Sequence, residues 1–435
     1  MFRSRTRPSP ASLSRRLPIL ALICGSAAGC GSDGPGGPDQ PPGTLTVVPA
    51  SLVMGRGMTR QLSATVLDAS GARVPDASIT FASDDEALAS VTPDGLVSYV
   101  GVGSTNVSAT SDDLVSLVPY RGMRTGHPLG TTATSVRLPG GQEGNGPFGV
   151  AVDGEGRIII SQTNTGHLAS NFYPATNFGI SGVEGTPTSV APVDGGRILV
   201  TPTGPENTDA SVIDLSAVQP VVQVPLGVTA FSLAIAPDSQ TAYLGTVDGR
   251  VLEFDVASSR VTGAIDLEVD KSRANHLALN ATGTLLYASS FTSGTVSEID
   301  LASRSVRRTF VVGGEPQGIA ISPDGAQLFV ADEAGTGKID VWDIVNLGLV
   351  TSLPSGATSS AGGPFGMAMS PDGVVVYTGV ITGDSIGAIL VIDVAAHAIE
   401  RTITSCGGIP RRVGFGYSGG LAVVADETGC ANFVE

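Results

Sequence analysis

Residues whose side chains could perform acid–base or metal chemistry are sparse in this sequence. It contains four histidines, His127, His167, His276 and His397, which fall in different segments of the chain. It has no H-E-x-x-H motif, no cysteine pair at zinc-binding spacing and no D-x-D-x-D-G calcium loop. We therefore expect no set of catalytic residues, no metal and no cofactor.

One segment, GYSGG at residues 416–420, fits the G-x-S-x-G pattern of a nucleophile elbow. That motif activates its serine only on a turn between a strand and a helix, with a histidine and an acid nearby. Here the segment aligns with Pro-Asp-Gly hairpin turns elsewhere in the chain, so we expect a strand to follow it. Ser418 is therefore not expected to be a nucleophile.

The composition excludes several classes of function. The 435 residues include 24 Lys and Arg against 40 Asp and Glu, a formal net charge of −16. Sequence-independent binding to nucleic acid requires basic residues that displace counterions, and adhesion to anionic lipid requires a basic cluster. With 58 Gly and 28 Pro, the chain is predicted to be all-β, with many short strands joined by tight turns.

The first 43 residues have the pattern of an export signal and a tether. An Arg-rich start precedes an apolar stretch at residues 17–28, which is shorter than the roughly 20 residues that span a bilayer. The sequence AAGC at residues 27–30 resembles the lipobox of bacterial lipoproteins, which implies removal of residues 1–29 and lipidation of Cys30. An ordinary signal peptide that is cleaved nearby is the alternative.

Cleavage before Cys30 would remove five arginines and leave 19 basic against 40 acidic residues, a net charge of −21. Residues 30–43 continue as a Gly- and Pro-rich segment that cannot bury enough apolar surface to fold, so it is predicted to be a flexible tether. The expected location is the bacterial cell envelope, with the protein anchored by lipid on the periplasmic or surface face of a membrane. The lipid anchor is the only membrane contact expected.

Residues 44–120 form a pattern of short alternating strands separated by turns, which predicts a β-sandwich. The segments VVP at residues 47–49, QLSATV at 61–66, DGLV at 94–97 and GVGST at 101–105 resemble the bacterial Ig-like group 2 family. The resemblance implies a spacer or an adhesion module. We favour a spacer, because no titratable or aromatic side chains gather into a site here.

Residues 124–435 contain seven repeats at spacings of 40 to 48 residues, each with four short strands. Four-stranded units repeated seven times predict a seven-bladed β-propeller. The SPDG turns at residues 322–325 and 370–373, each followed by a strand with Phe-Val or Val-Tyr, resemble the Tyr-Val-Thr-Asn (YVTN) type of propeller repeat. The last repeat stops after three strands, so residues 131–138 are expected to supply its fourth strand.

The residues at the start of each first strand should converge at one mouth of the central channel, where propellers usually bind ligands. The predicted ligand-binding residues are Phe148, Phe231, Asn275, His276, Gln317, Phe365, Arg411 and Arg412. Aromatic faces beside Arg and amide groups suit a ligand with apolar faces and anionic or hydroxyl groups. The alternative is that the Phe side chains plug the channel and the arginines pair with nearby acids.

Cys406 and Cys430 are predicted to form a disulfide, because an exported compartment permits oxidation. Overall, the sequence favours a non-enzymatic, lipid-anchored envelope protein whose propeller binds an unknown envelope protein or a glycan-like ligand. A monomer that binds no nucleic acid is expected. The alternative is a propeller enzyme, a lactonase or a streptogramin-lyase-like protein, in which metal-binding acids or a His–Glu pair would lie at the mouth; His276 and Glu315 are the candidates for it.

Overall fold

The fold was obtained as a computed structural model. The structure describes residues 43–139, 146–174, 178–183, 185–193, 196–204, 207–215, 221–268, 273–358, 362–383 and 386–435. The predicted signal peptide, Cys30 and nearly all of the tether lie outside the described residues. Among the described residues, no helix is both long enough and apolar enough to pass through a bilayer.

The N-terminal part of the described chain folds into nine strands in three small sheets. The strands are β1 (Thr44–Val48), β2 (Leu52–Met54), β3 (Thr59–Gln61), β4 (Ser63–Leu67), β5 (Thr80–Ser83), β6 (Ala89–Val91), β7 (Leu96–Tyr99), β8 (Gly103–Ser111) and β9 (Leu114–Gly122). The sheets have the orders β1-β4, β2-β9-β8-β5 and β3-β7-β6. Side chains that alternate along these strands, including Met54, Val97, Val107 and Tyr120, form a shared core.

The remaining described strands pair into seven four-stranded antiparallel sheets. The strands of the first four sheets are β11 (Pro147–Val152), β12 (Arg157–Gln162), β13 (His167–Phe172), β14 (Gly179–Gly182), β15 (Thr186–Pro192), β16 (Arg197–Thr203), β17 (Asp209–Asp214), β18 (Val221–Pro225), β19 (Ala230–Ile235), β20 (Thr241–Thr246), β21 (Arg250–Asp255), β22 (Arg260–Asp266), β23 (Ala274–Leu279), β24 (Leu285–Ser290), β25 (Thr295–Asp300) and β26 (Ser305–Val311). The other three sheets contain β27 (Pro316–Ile321), β28 (Gln327–Asp332), β29 (Lys338–Asp343), β30 (Gly348–Pro354), β31 (Met367–Met369), β32 (Val375–Ile381), β33 (Gly387–Asp393), β34 (Ala398–Thr404), β35 (Pro410–Gly416), β36 (Leu421–Asp426), β37 (Cys430–Val434) and β10 (Thr134–Arg137).

The first strand of each sheet contacts the first strand of the next. These contacts run from β11 through β15, β19, β23, β27 and β31 to β35, and β35 in turn contacts β11. The buried second and third strands of neighbouring sheets face one another across apolar layers, such as the cluster of Phe329, Val341, Val376 and Leu390. Such layers explain why these central strands are nearly all apolar.

The last sheet combines strands from both ends of this region. Strand β10 pairs antiparallel with β37, with Thr134 opposite Phe433 and Arg137 opposite Cys430. The pairing predicted for residues 131–138 is therefore present, although the strand is shorter than the predicted segment. The pairing covers an edge that would otherwise leave backbone N–H and C=O groups without partners.

Recurring aspartates set the turns between third and fourth strands. Oδ1 of Asp255 accepts a hydrogen bond from the Ser258 backbone N–H at 2.7 Å, and Asp300 accepts one from Ser303 at 2.8 Å. Equivalent bonds run to Asp343 and Asp393. These turn bonds lower the pKa of Asp255, Asp300 and Asp343, and they identify the repeated aspartate as a turn former.

A disulfide joins Cys406, which precedes β35, to Cys430 at the start of β37, with 6.6 Å between the two Cα atoms. The disulfide predicted from the sequence is thus confirmed. Cys406 also donates its backbone N–H to Oδ1 of Asn432 at 3.0 Å. The covalent link therefore lies within the sheet that combines both ends of the region.

The small N-terminal domain packs directly against the last and first of the seven sheets. Val53 and Met58 pack against a cluster that contains the buried Tyr417, in the short 3-10 helix Tyr417–Gly419. Ser418 Oγ donates to the Arg56 carbonyl at 2.8 Å, and Arg60 forms an ion pair with Glu155 at 2.9 Å. The domain is therefore held by apolar and polar contacts, which the spacer interpretation did not anticipate.

Candidate functional site

Most of the predicted ligand-binding residues occupy irregular positions in the first strands, although His276 is regularly paired with Ser289 and Phe365 precedes β31. The regular pairing of β11, β15, β19, β23, β27 and β35 with the adjacent second strand is interrupted close to the strand start in each case. The interruptions leave Phe148, Phe231, Asn275, Gln317 and Arg411 outside the regular register. Since bulges redirect side chains, these residues project differently from their paired neighbours.

Three phenylalanines meet at this end of the sheets. The Phe148 ring lies 6.0 Å from the Phe231 ring and 5.4 Å from the Phe365 ring, both in edge-to-face arrangements. The three residues are only 7–8% exposed. They form a buried apolar cluster, which we call the phenylalanine plug.

The arginines cover this plug. The Arg411 guanidinium carbon lies 4.5 Å from the Phe365 ring centre, and the Arg412 carbon lies 5.9 Å from that of Phe148. Arg411 donates from Nε to Glu427 at 2.6 Å, which pairs its charge with an acid. Arg412 donates from Nη2 only to the Asn275 carbonyl at 3.3 Å, and it forms no ion pair with any described residue.

A chain of amide hydrogen bonds runs beside the arginines. The Asn275 Nδ2 donates to Oε1 of Gln317, whose Nε2 donates to Oε2 of Glu333. Burial raises the pKa of the Glu333 carboxyl, although the bond from Gln317 and the nearby Arg411 oppose that shift. Asn275 is 1% exposed, and its Oδ1 has no hydrogen-bond donor among the described residues.

His276 is fixed as a neutral side chain that bridges two sheets. Its Nδ1 accepts a hydrogen bond from the Ile319 backbone N–H of the next first strand at 3.3 Å, so its proton is on Nε2. Burial and the positive charge of Arg412 hold the pKa of His276 well below its usual 6.5. At neutral pH it supplies no positive charge to the site.

Small residues allow the first strands to approach closely. The Gly318 N–H donates to the Phe365 carbonyl at 2.7 Å, and the Gly366 N–H donates to the Arg411 carbonyl at 2.9 Å. A Cβ atom at Gly318 or Gly366 would collide with those same carbonyl groups. Glycine at these two positions therefore permits the close strand contact that brings Phe365 and Arg411 together.

The phenylalanine plug, the two arginines and the amide chain include seven of the eight predicted residues, and His276 lies close enough to Arg412 for that charge to lower its pKa. We name this set, with Arg273 and Glu333, the arginine–phenylalanine cluster. Arg273 was missed by the sequence analysis; its guanidinium carbon lies 4.3 Å from the Phe231 ring centre. Only its position two residues before Asn275 could have indicated it.

The features that an enzyme would need are placed differently. The imidazole of His276 accepts its one described hydrogen bond from the Ile319 backbone N–H and makes none with Glu315. Ser418 lies in the 3-10 helix, is followed by β36, and donates to the Arg56 carbonyl. In the described ranges, one group of three potential metal ligands occurs, Cys406, Asp426 and Cys430, and its two thiols form the disulfide.

Comparisons with known proteins identify one domain of the chain and one solved structure with a similar fold. Residues 44–118 match the family model of the bacterial Ig-like domain (group 2), so the chain is an all-β protein with an Ig-like domain. A solved structure from Kuenenia stuttgartiensis, hydrazine synthase, is a propeller-like structural neighbour, with a TM-score of 0.59. That comparison covers 68% of this chain and 97% of the other at 20% identity, so it bears on the fold alone. No curated protein sequence matches the chain.

Proposed function

We propose that this protein is an exported, lipid-anchored cell-envelope protein whose seven-bladed β-propeller binds a partner through the arginine–phenylalanine cluster. The partner is an envelope protein or a glycan-like ligand. The observation that carries the proposal is the convergence of residues from several first strands on one set of aromatic, amide and guanidinium groups. Convergent polar groups beside apolar faces are the usual make-up of a binding site.

Support for the propeller comes from the order of contacts between the sheets. The first strands contact one another in sequence, and the last contacts the first. YVTN-type repeats of about the same length would generate this arrangement. The structural similarity to hydrazine synthase, which covers 97% of that chain, also supports a propeller fold.

Support for export comes from three independent features. The N-terminal sequence has the layout of a lipoprotein signal, the described chain contains a disulfide, and residues 44–118 match an Ig-like domain of bacterial type. Disulfides persist in oxidising compartments such as the periplasm and the cell surface. Lipidation of Cys30 would then attach the protein to a membrane.

Binding is favoured over the lactonase or lyase alternative because of how His276 is used. Its Nδ1 accepts a hydrogen bond from the Ile319 backbone N–H, so the side chain joins two neighbouring sheets. Catalysis by a His–Glu pair would need a carboxylate within hydrogen-bond reach of the imidazole. The acidic net charge is unfavourable for binding nucleic acid, so we propose that the protein binds none. We also propose that it is a monomer and that its lipid anchor is its only contact with the membrane.

Photo-crosslinking in cells of the source organism tests this proposal. A photoreactive amino acid replaces Glu315, which is partly exposed beside the cluster, and the control carries it at Val350 on the outer strand β30. We expect a distinct crosslinked species from position 315 that is lost in an Arg411→Ala/Arg412→Ala background. The same species from both positions, or its persistence in the double variant, would contradict binding at the cluster.

A further inference from the structure

Two of the three guanidinium groups in the arginine–phenylalanine cluster have no ion-pair partner among the described residues. Three guanidinium groups, those of Arg273, Arg411 and Arg412, lie against the same phenylalanine plug. Arg411 has Glu427 as its partner. Arg273 and Arg412 form no ion pair with any described residue, and the Nε atom of each is buried without a hydrogen-bond acceptor.

The burial of these two guanidinium groups without an ion-pair partner is energetically unfavourable. Burial lowers the pKa of Arg412 to about 10, and the positive charges of Arg273 and Arg411 contribute to that shift. Burial also lowers the pKa of Arg273. An arginine stays protonated at neutral pH despite such shifts, so the cost of its burial remains until an anion approaches.

The neighbouring acids form no described ion pair with Arg273 or Arg412. Glu427 pairs with Arg411, and Glu333 accepts a hydrogen bond from Gln317 and acts on Arg273 only as a nearby negative charge. The phenylalanine plug reduces the access of water, and a low local dielectric strengthens any charge-assisted hydrogen bond that forms. The guanidinium groups of Arg273 and Arg412 can therefore form ion pairs with a ligand that carries negatively charged oxygen atoms.

We propose that Arg273 and Arg412 bind the oxyanion group of a small ligand, a carboxylate or a phosphate. The unpartnered Oδ1 of Asn275 accepts a hydroxyl donor from the same ligand. The inference rests on the proposed function and adds the chemical class of what the cluster recognises. Arg411 has a different role, since its charge is paired with that of Glu427 and its guanidinium group lies over the Phe365 ring.

Thermal unfolding and calorimetric titration of the full-length protein in detergent test the inference. The probes are inorganic phosphate and acetate, each added at constant ionic strength against sodium chloride. The variants are Arg412→Gln and Arg273→Gln, and Arg260→Gln, on an exposed position of β22, is the matched control. We expect phosphate, acetate or both to raise the melting temperature of the wild type and of Arg260→Gln, and each cluster variant to bind at least tenfold more weakly.

A second readout separates binding from simple loss of stability. Without added oxyanion, Arg412→Gln should melt no lower than the wild type, because it removes an uncompensated buried charge. The response to acetate distinguishes a carboxylate site from a phosphate site. Equal responses in all four proteins would indicate a general salt effect and overturn the inference, as would the absence of any response in the wild type.

The outcome is also independent of the crosslinking experiment. Oxyanion binding that depends on Arg273 and Arg412, without any captured partner, would support this inference and contradict the proposed function. Capture of a partner with no oxyanion response would support the function and contradict the inference.

Discussion

At the scale of single residues, the burial of His276 makes the free energy of unfolding depend on pH. The folded protein holds the imidazole neutral through burial, the adjacent Arg412 and the hydrogen bond from Ile319, whereas the unfolded chain takes up a proton below about pH 6.5. The free energy of unfolding should therefore fall as the pH falls below that value, by at most about 1.4 kcal/mol per pH unit.

His276→Asn tests this effect, since an amide oxygen can accept from Ile319 but does not titrate. We expect the difference in unfolding free energy between pH 7.5 and pH 5 to be smaller in this variant than in the wild type, measured by urea denaturation. His397→Asn, on the turn between β33 and β34, is the control. A pH dependence that is unchanged in His276→Asn would show that other groups are responsible.

The disulfide gives a second prediction at the residue scale. Cys406 and Cys430 are separated by 24 residues, and closing a loop of that length contributes about 3.5 kcal/mol in the chain-entropy model. Cys406→Ala/Cys430→Ala should therefore lower the unfolding free energy by roughly that amount. Wild-type protein treated with reductant should behave like the variant. Full alkylation of both thiols in denatured, unreduced wild type would contradict the presence of the bond.

At the scale of elements, β10 determines how the last sheet is completed. Three of its four side chains are exposed, so its contribution comes mainly from backbone pairing with β37. Replacing residues 134–137 with Gly-Ser-Gly-Ser should leave an unpaired edge that promotes aggregation. The same replacement at residues 260–263 of β22, which are similarly exposed, is the control.

Light scattering and thermal unfolding distinguish these two variants. We expect the β10 variant to aggregate and to melt at a lower temperature than the β22 variant, because only β10 joins distant parts of the chain. Equal behaviour would mean that the pairing of β10 is no more important than any other outer strand.

The docking of the small domain is a further element-scale feature. A Cβ atom at Gly55 would lie 2.5 Å from the Tyr417 carbonyl group, in the 3-10 helix between β35 and β36. Gly55→Ala should therefore lower the unfolding free energy by about 1–3 kcal/mol, the usual cost of overpacking. Gly154→Ala is the matched control, because its added Cβ would meet no atom within 4 Å. Equal melting temperatures for the two variants would contradict the docking.

The limits of sequence-based prediction follow from these elements. The repeat spacing and the equivalent positions of Phe148, Phe231 and Phe365 were visible because they depend on local patterns. The docking of Met58 against the cluster that contains Tyr417 was not predicted, since it is a contact between two domains that no local pattern marks. Arg273 was missed for the same reason: its role depends on the ring of Phe231, which belongs to another sheet.

At the scale of the whole molecule, the net charge and the local charge of the cluster have opposite effects on an anionic ligand. The net charge of −16 repels anions at long range, whereas the guanidinium groups of the cluster attract them within a few ångströms. At physiological ionic strength the Debye length is about 8 Å, so distant acids are largely screened. An anionic ligand is therefore compatible with an acidic protein when it binds against Arg273 and Arg412.

The last prediction concerns how the molecule is held at the membrane. The sequence AAGC at residues 27–30 resembles a lipobox and is followed by a Gly- and Pro-rich tether, so attachment should depend on lipid at Cys30. Each buried CH₂ group contributes about 0.8 kcal/mol, and two or more acyl chains give stable anchoring. Cys30→Ala should move the protein to the soluble envelope fraction, while Cys24→Ala, within the apolar stretch that precedes the cleavage site, should leave it in the membrane pellet. Fractionation of the cell envelope followed by immunoblotting checks both variants; a Cys30→Ala protein that stays in the pellet would show that something other than lipid holds it there.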